Sequence, residues 1–218
     1  MNIFKKAKKE LETKRIFFIH TSKRHSIDSL LPEEKSVIAK AVKKRQMDFA
    51  SGRWCAYQIL DMMGRSDRPI LTGEGGEPLW PAGICGSISH TDSLACAIGA
   101  LENNYTSVGL DIEKRTRPIS QRALKIILND DEELWLEQHR GRDLEKIIFS
   151  AKESIFKLLY PLTGKRFYFS YVSIISVDDK YFTARLNKDL DDTFKKGNEF
   201  KGIYFSDNEY ILAISFLK

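Results

Sequence analysis

From residue 167 to residue 217, apolar and polar side chains alternate in four short segments, 167–177, 181–186, 200–205 and 210–217. A period of two is the mark of strands that bury one face. Upstream the period changes. Ile148, Ala151, Ile155, Leu158 and Leu159 form one apolar stripe on a helix expected over 144–160 and ended by Pro161. A second helical region is expected from about Ser120 to Gln138, with a strand over 108–113 before it. The first half repeats the mixture. A strand is expected over 15–20, then a helical pattern from Pro32 to Met63 with a break near Gly52. A loop dense in Gly and Pro follows at 72–83, and then a hairpin of 84–90 and 94–100 around Thr91-Asp92-Ser93. Helices and meander strands in each half predict an α+β fold with antiparallel sheets. The polar stretch at 102–106 divides the chain almost equally, which predicts two lobes, 1–105 and 106–218.

Composition excludes several classes. Hydrophobic residues make up 42% and charged residues 30%, as in soluble globular proteins. Apolar runs such as 211–214 are far too short to span a membrane. Residues 1–10 are lysine-rich, and no apolar signal core follows, so a secretory leader is not expected. Cys55, Cys85 and Cys96 are scattered without metal-ligand spacing and read as reduced thiols of a cytoplasmic protein. Charge is uneven. Residues 1–50 hold 13 Lys and Arg against 6 Asp and Glu, whereas the remainder holds 22 against 24. A basic first quarter suggests an acidic partner: nucleic acid, a polyphosphate cofactor or an acidic protein. The plain alternative is a solvated helix face behind a frayed basic terminus.

Three short motifs carry chemistry. In Gly109-Leu110-Asp111-Ile112-Glu113, strand alternation puts Asp111 and Glu113 on one face and Leu110 and Ile112 on the other. Paired carboxylates suit Mg²⁺, which takes one or two of them and keeps places for water and phosphate. A solvated acidic edge is the alternative. In Phe149-Ser150-Ala151-Lys152-Glu153-Ser154-Ile155-Phe156-Lys157, Glu153 and Lys157 lie four apart, opposite the apolar stripe. The plain readings are a Ser150–Glu153 capping box and an exposed ion pair. The functional reading adds Glu153 to Asp111 and Glu113 and sets Lys157 on a phosphate. In Gly86-Ser87-Ile88-Ser89-His90, Ser87 and Ser89 share a face that His90 does not, which suits a Ser–His nucleophile poorly. A hydroxyl and an imidazole gripping phosphate is the functional reading, and a strand end with an exposed His is the plain one.

In this order, the three motifs resemble the signatures of the phosphopantetheinyl transferases of the surfactin-synthetase-activating type. Pro78-Leu79-Trp80-Pro81-Ala82-Gly83 and Phe-Ser-Ala-Lys-Glu-Ser are similar to the subgroup typified by enterobactin synthase component D. The resemblance implies a pseudo-twofold arrangement of two similar α+β lobes, with coenzyme A as co-substrate in the cleft between them. It implies Mg²⁺ held by Asp111, Glu113 and Glu153, with Lys157 and Lys152 neutralising phosphate charge. It sets Ser89 and His90 on the nucleotide end of coenzyme A and Arg53 near the 3′-phosphate. The candidate base is Glu153 or a metal-bound water beside it. Glu132 is either a helping carboxylate or an ordinary acidic helix start. One departure is Glu77, which stands before Pro78 where many relatives carry Lys or Arg; Arg53, Arg45, Lys43 and Lys44 would then have to supply that charge.

The implied activity is transfer of the 4′-phosphopantetheine arm of coenzyme A to a serine of an acidic apo carrier protein. The product is 3′,5′-ADP, and the setting is siderophore or other nonribosomal peptide synthesis. A monomer is expected. A non-catalytic module that binds coenzyme A or a carrier would need the grip without the metal residues. No RNP-like stretch or zinc finger supports nucleic-acid binding.

Overall fold

The computed structural model describes residues 2–92, 94–139 and 143–218. The chain opens with a helix that the lysine-rich composition concealed. Helix α1 (Ile3–Thr13) is capped by Asn2, whose Oδ1 accepts from Phe4 N at 2.7 Å, and it buries Ile3, Phe4, Ala7 and Leu11. The basic N-terminus is therefore one face of an amphipathic helix, not a frayed end. Burying side chains such as Phe4 and Leu11 contributes about 1.5–3 kcal/mol each before entropy is counted.

Strand β1 (Phe17–Thr21) follows, then α2 (Pro32–Ile38) and α3 (Lys43–Met62). The helical break lies at 39–42, and α3 runs unbroken through Gly52. Gly52 is there for packing: a Cβ at this position would stand 2.8 Å from Ile88 Cγ2. A two-residue ribbon of β2 (Leu71–Thr72) and β3 (Pro78–Leu79) leads into the hairpin of β4 (Ile84–Thr91) and β5 (Leu94–Leu101). Strands β1, β5 and β4 form a three-stranded antiparallel sheet in that order.

The second half starts with β6 (Ser107–Lys114). The expected helix over 120–138 is two helices, α4 (Gln121–Ile127) and α5 (Asp130–Gln138). Asn129 divides them, since its side chain caps Glu132 N at 2.9 Å while Glu132 bonds back to Asn129 N at 3.0 Å. Helix α6 (Leu144–Thr163) runs two residues past Pro161 and stops at Gly164, which has a φ of 61°. Strands β7 (Val172–Val177), β8 (Tyr181–Leu186), β9 (Glu199–Ser206) and β10 (Tyr210–Leu217) complete a five-stranded antiparallel sheet ordered β6-β10-β9-β8-β7. The fold is α+β, and each half sets one 20-residue helix, α3 or α6, on an antiparallel sheet.

A single core cluster spans both sheets. Ile3, Phe18 and Ile98 join Leu110, Ile112, Leu212 and Ile214 in it. Helix α1 touches both sides: Phe4 stacks on His20 at 4.2 Å and lies 5.8 Å from Tyr210, and Glu10 pairs with Lys180 at 2.7 Å.

Candidate active site at the junction of the two sheets

Strands β4 and β6 belong to different sheets, yet they are joined by side chains. Ser87 Oγ accepts from Leu110 N at 3.1 Å, and Ser89 Oγ accepts from Ile112 N at 3.3 Å. Because alternate residues share a face, the Ser-x-Ser spacing supplies two rungs where no backbone ladder exists. On the other side of β6 lies α6. The approach is so close that a Cβ at Gly109 would stand 1.9 Å from Ser154 O. Ser107 and Ser215 donate to the helix carbonyls of Leu158 and Ser154 at 2.7 and 2.9 Å. The glycine of the Gly-x-Asp-x-Glu motif is thus required by helix-to-strand contact.

Asp111 sits at the centre, 3% exposed. Its Oδ1 accepts from Ser89 Oγ at 3.0 Å and Lys157 Nζ at 2.7 Å, and its Oδ2 accepts from Ser150 Oγ at 2.9 Å. Lys157 also donates to Ser89 Oγ at 3.0 Å. The Ser89 hydroxyl therefore has its one donor and two acceptor places filled inside the protein. These partners make the hydroxyl a structural link between β4, β6 and α6. Ser150 lies six residues inside α6, so the capping box suggested by Ser150 and Glu153 does not form.

Glu113 and Glu153 complete the cluster. Burial, then the charge of Asp111, pushes Glu113 up to about 7, with Glu153 adding to the rise and Lys157 and Arg117 opposing it. Glu153 is raised by burial and by Asp111, against Lys157. Burial would lower Lys157, but Asp111 and Glu153 outweigh it and the net shift is upward. Among the described residues, no three His, Cys, Asp or Glu side chains are gathered as a ready-made metal cage, and the Lys157 ammonium lies against Asp111. The donor set nevertheless fits a hard divalent cation. Three carboxylates face one lysine, and two of the three are held above their ordinary pKa partly by mutual repulsion. Beside Lys157, a cavity of about 180 Å³ is lined by Gly75, Ser87, Phe156 and Tyr160. A larger hollow of about 510 Å³, near Phe17 and Met62, contains none of these groups.

His90, on the opposite face of β4, belongs to a second cluster. Its Nε2 lies 2.6 Å from Arg45 Nη1, and its Nδ1 lies 3.9 Å from Asp48 Oδ2. Burial and the Arg45 charge lower its pKa, with Asp48 opposing. Lys44 and Arg24 approach the same Asp48 carboxylate at 3.5 and 3.9 Å. Three basic groups thus approach one acid, and Arg45 joins them through His90. Arg24 escaped the sequence reading because it lies in a loop outside every motif. Only the unpaired surplus of charge in residues 1–50 pointed its way.

Three expected roles change. Lys152 is turned away from the cluster: its Nζ bonds Ile127 O and Glu132 Oε2, both at 2.6 Å, with each side chain at most 2% exposed. Glu132 Oε1 accepts from Ile174 N at 2.7 Å, so this carboxylate serves as a buried strut. Arg53 is equally enclosed. It donates to Leu71 O and Thr72 Oγ1 at 3.2 and 2.9 Å, lies 3.5 Å from Glu34 and stacks on Phe49. Burial lowers its pKa to about 10 against the pull of Glu34. Its guanidinium braces α2, α3 and β2, leaving the exposed Arg45 and the half-buried His90 as the accessible pair. Glu77 folds into its own turn, accepting from Gly75 N at 3.0 Å.

Two family models and several known proteins match the chain. Residues 33–100 match the family model described as the 4′-phosphopantetheinyl transferase N-terminal domain, and residues 107–215 match that of the 4′-phosphopantetheinyl transferase superfamily. The chain is 36% identical over 165 residues to the 4′-phosphopantetheinyl transferase Svp of Streptomyces mobaraensis, covering 73% of this chain and 67% of that protein. It is 34% identical over 135 residues to Npt of Nocardia iowensis, covering 62% and 60%. To enterobactin synthase component D of Salmonella typhi it is 32% identical over 136 residues, covering 61% and 56%. It thus spans about two thirds of the first of these relatives and less of the other two. With both matched regions in place on either side of the serine-bridged junction, the chain belongs to the 4′-phosphopantetheinyl transferase superfamily.

Proposed function

We propose that this chain transfers 4′-phosphopantetheine from coenzyme A to a serine of an apo carrier protein and depends on Mg²⁺ to do so. The observation that carries the reading is the Asp111, Glu113, Glu153 and Lys157 cluster set at the junction of the two halves. We divide the chain into lobes 1–105 and 106–218, supported by the separate matches on either side of that boundary. Asp111, Glu113 and Glu153 would hold the metal. Bound there, Mg²⁺ supplies positive charge that neutralises the pyrophosphate and steadies its leaving oxygen.

The rest falls to the chain's own residues. Lys157 is kept charged by Asp111 and Glu153 and would meet phosphate oxygens. Arg45 and His90, with Arg24 and Lys44 beside them, would receive the 3′-phosphate. In the transfer, the carrier serine oxygen forms a bond to the β-phosphorus. The bond from that phosphorus to the bridging oxygen breaks, and 3′,5′-ADP leaves with the electron pair. Glu153 takes the serine proton; burial and the charge of Asp111 hold its carboxyl above the usual carboxylate range, which makes it a stronger base than a solvated glutamate.

The aromatic side chains Phe156, Tyr168 and Phe169 line a hollow beside Glu153, and Tyr168 is 78% exposed. This supports docking of a protein substrate next to the base. The basic surplus of residues 1–50 favours an acidic carrier. The likeness to enterobactin synthase component D favours a carrier of siderophore synthesis. We take the enzyme to be a cytoplasmic monomer; no helix among the described residues is long and apolar enough to cross a membrane.

Intact-mass spectrometry tests the reading. Incubation with coenzyme A, Mg²⁺ and an apo carrier should add one phosphopantetheine group, and Asp111→Ala should prevent it. Binding of coenzyme A with no mass gain on any of a panel of peptidyl, aryl and acyl carriers would leave a non-catalytic binding module.

A further inference from the structure

We propose that Ser150 is a positioning residue that fixes the Asp111 carboxylate from the side opposite Ser89. Ser150 is fully buried on α6, and its hydroxyl donates to Asp111 Oδ2 at 2.9 Å. The other oxygen, Oδ1, is already held by Ser89 and Lys157. A carboxylate held at one oxygen can still rotate the other. Donors at both oxygens, arriving from β4 and α6 on either side of β6, remove that freedom.

Local helix chemistry does not account for Ser150. A serine inside a helix commonly bonds back to a carbonyl of the preceding turn. Ser154, one turn further along α6 and also fully buried, behaves that way and donates to Ala151 O at 2.8 Å. Ser150 instead turns its hydroxyl across to another element. Alanine would be the better helix former here and would bring no polar atom to satisfy. What selects a hydroxyl at this position is the carboxylate. The inference rests on reading Asp111 as a magnesium ligand. Hydrogen-bond partners of a metal-binding carboxylate typically contribute roughly 10–100-fold to metal affinity.

The experiment is a titration of the full chain with Mn²⁺, a paramagnetic stand-in for Mg²⁺, in the presence of coenzyme A, with free ion counted by electron paramagnetic resonance. Ser150→Ala should weaken Mn²⁺ binding by roughly 10–100-fold, with metal-free coenzyme A binding unchanged. Ser150→Thr, which keeps the hydroxyl, should recover most of the loss. Ser154→Ala should bind Mn²⁺ like the parent protein. If Ser150→Ala does not fold, Ser150→Cys carries the same expectation, since its thiol is of similar size but a weak donor.

Parent-like Mn²⁺ affinity in Ser150→Ala or Ser150→Cys, alongside its loss in Asp111→Asn, overturns the role of Ser150 and leaves the reading of Asp111 standing. Equal weakening in Ser150→Ala and Ser154→Ala assigns the effect to helix packing and also overturns it. Parent-like affinity in Asp111→Asn removes the metal reading itself.

Discussion

Lys152 Nζ and Glu132 Oε2 meet at 2.6 Å in a place that solvent scarcely reaches. The pair ties α6 to the start of α5 and, through Ile127 O and Ile174 N, to the end of α4 and to β7. Removing one partner leaves a buried charge uncompensated, which typically costs about 3–5 kcal/mol. Lys152→Ala should therefore lower the unfolding free energy obtained from a urea titration by an amount of that order, and lose activity in step with its folded fraction. A variant that unfolds like the parent but fails in turnover would return Lys152 to the chemistry.

Gly109 is the second test of packing. A Cβ at that position meets backbone on α6, 1.9 Å from Ser154 O and 2.8 Å from Leu158 N, and backbone cannot swing aside as a side-chain tip can. Gly109→Ala should destabilise the protein by at least about 1–3 kcal/mol. It should also depress turnover in the molecules that remain folded, because α6 carries Glu153 and Lys157. Thermal unfolding and a rate corrected for folded fraction check both halves of the expectation.

Removing metal should expose the repulsion among the acids. Glu113 has a folded pKa of about 7 against its ordinary 4.5. A raised carboxyl pKa means that the folded state holds the proton more tightly than the unfolded state. The stability this confers is complete at low pH and is lost as pH rises through about 7. Chelator-treated protein should thus melt at a lower temperature as pH climbs from about 5 to about 8. Glu113→Gln should flatten that slope, and excess Mg²⁺ should raise the melting temperature most at the alkaline end. An unchanged slope in Glu113→Gln would place the titrating group elsewhere.

The two basic clusters separate by ligand. Arg45 and His90 lie 2.6 Å apart at the surface, whereas Arg53 is 4% exposed and bonded on several sides. Arg45→Ala and His90→Ala should weaken coenzyme A binding more than dephospho-coenzyme A binding. Arg53→Ala should lower stability and treat the two ligands alike. Calorimetric titration with both ligands decides, and selective loss in Arg53→Ala would show that its guanidinium reaches the 3′-phosphate after all.

Much of this was legible in the sequence, for a physical reason. The β-rich tail and α6 announce themselves by period, because a half-buried strand or helix must alternate its surfaces. Glycine weakens helices in general, so Gly52 suggests a break in sequence; what it answers to is Ile88 across the interface, which no local pattern contains. Helix α1 carries its signal in Ile3, Phe4, Ala7 and Leu11, with Asn2 as cap, but its four lysines put charge in the foreground. Lys152 and Ser150 lie in one motif with Glu153 and Lys157. Sequence order could not say that Lys152 turns toward Glu132 while Ser150 turns toward Asp111. Those directions depend on partners 20 and 39 residues away.

The shared cluster beneath both sheets bears on how such a chain can be inherited. Its apolar side chains come from α1, β1 and β5 on one side and from β6, β9 and β10 on the other, and each set is the other's cover. A gene fragment encoding either half alone would deliver a chain with one greasy face open to water, a poor candidate for independent life. Recombination between relatives should therefore succeed when both halves of a pair travel together, or when Leu110, Ile112, Leu212 and Ile214 are exchanged along with Phe18 and Ile98. Despite the look of a duplicated unit, the piece that selection can move is the whole.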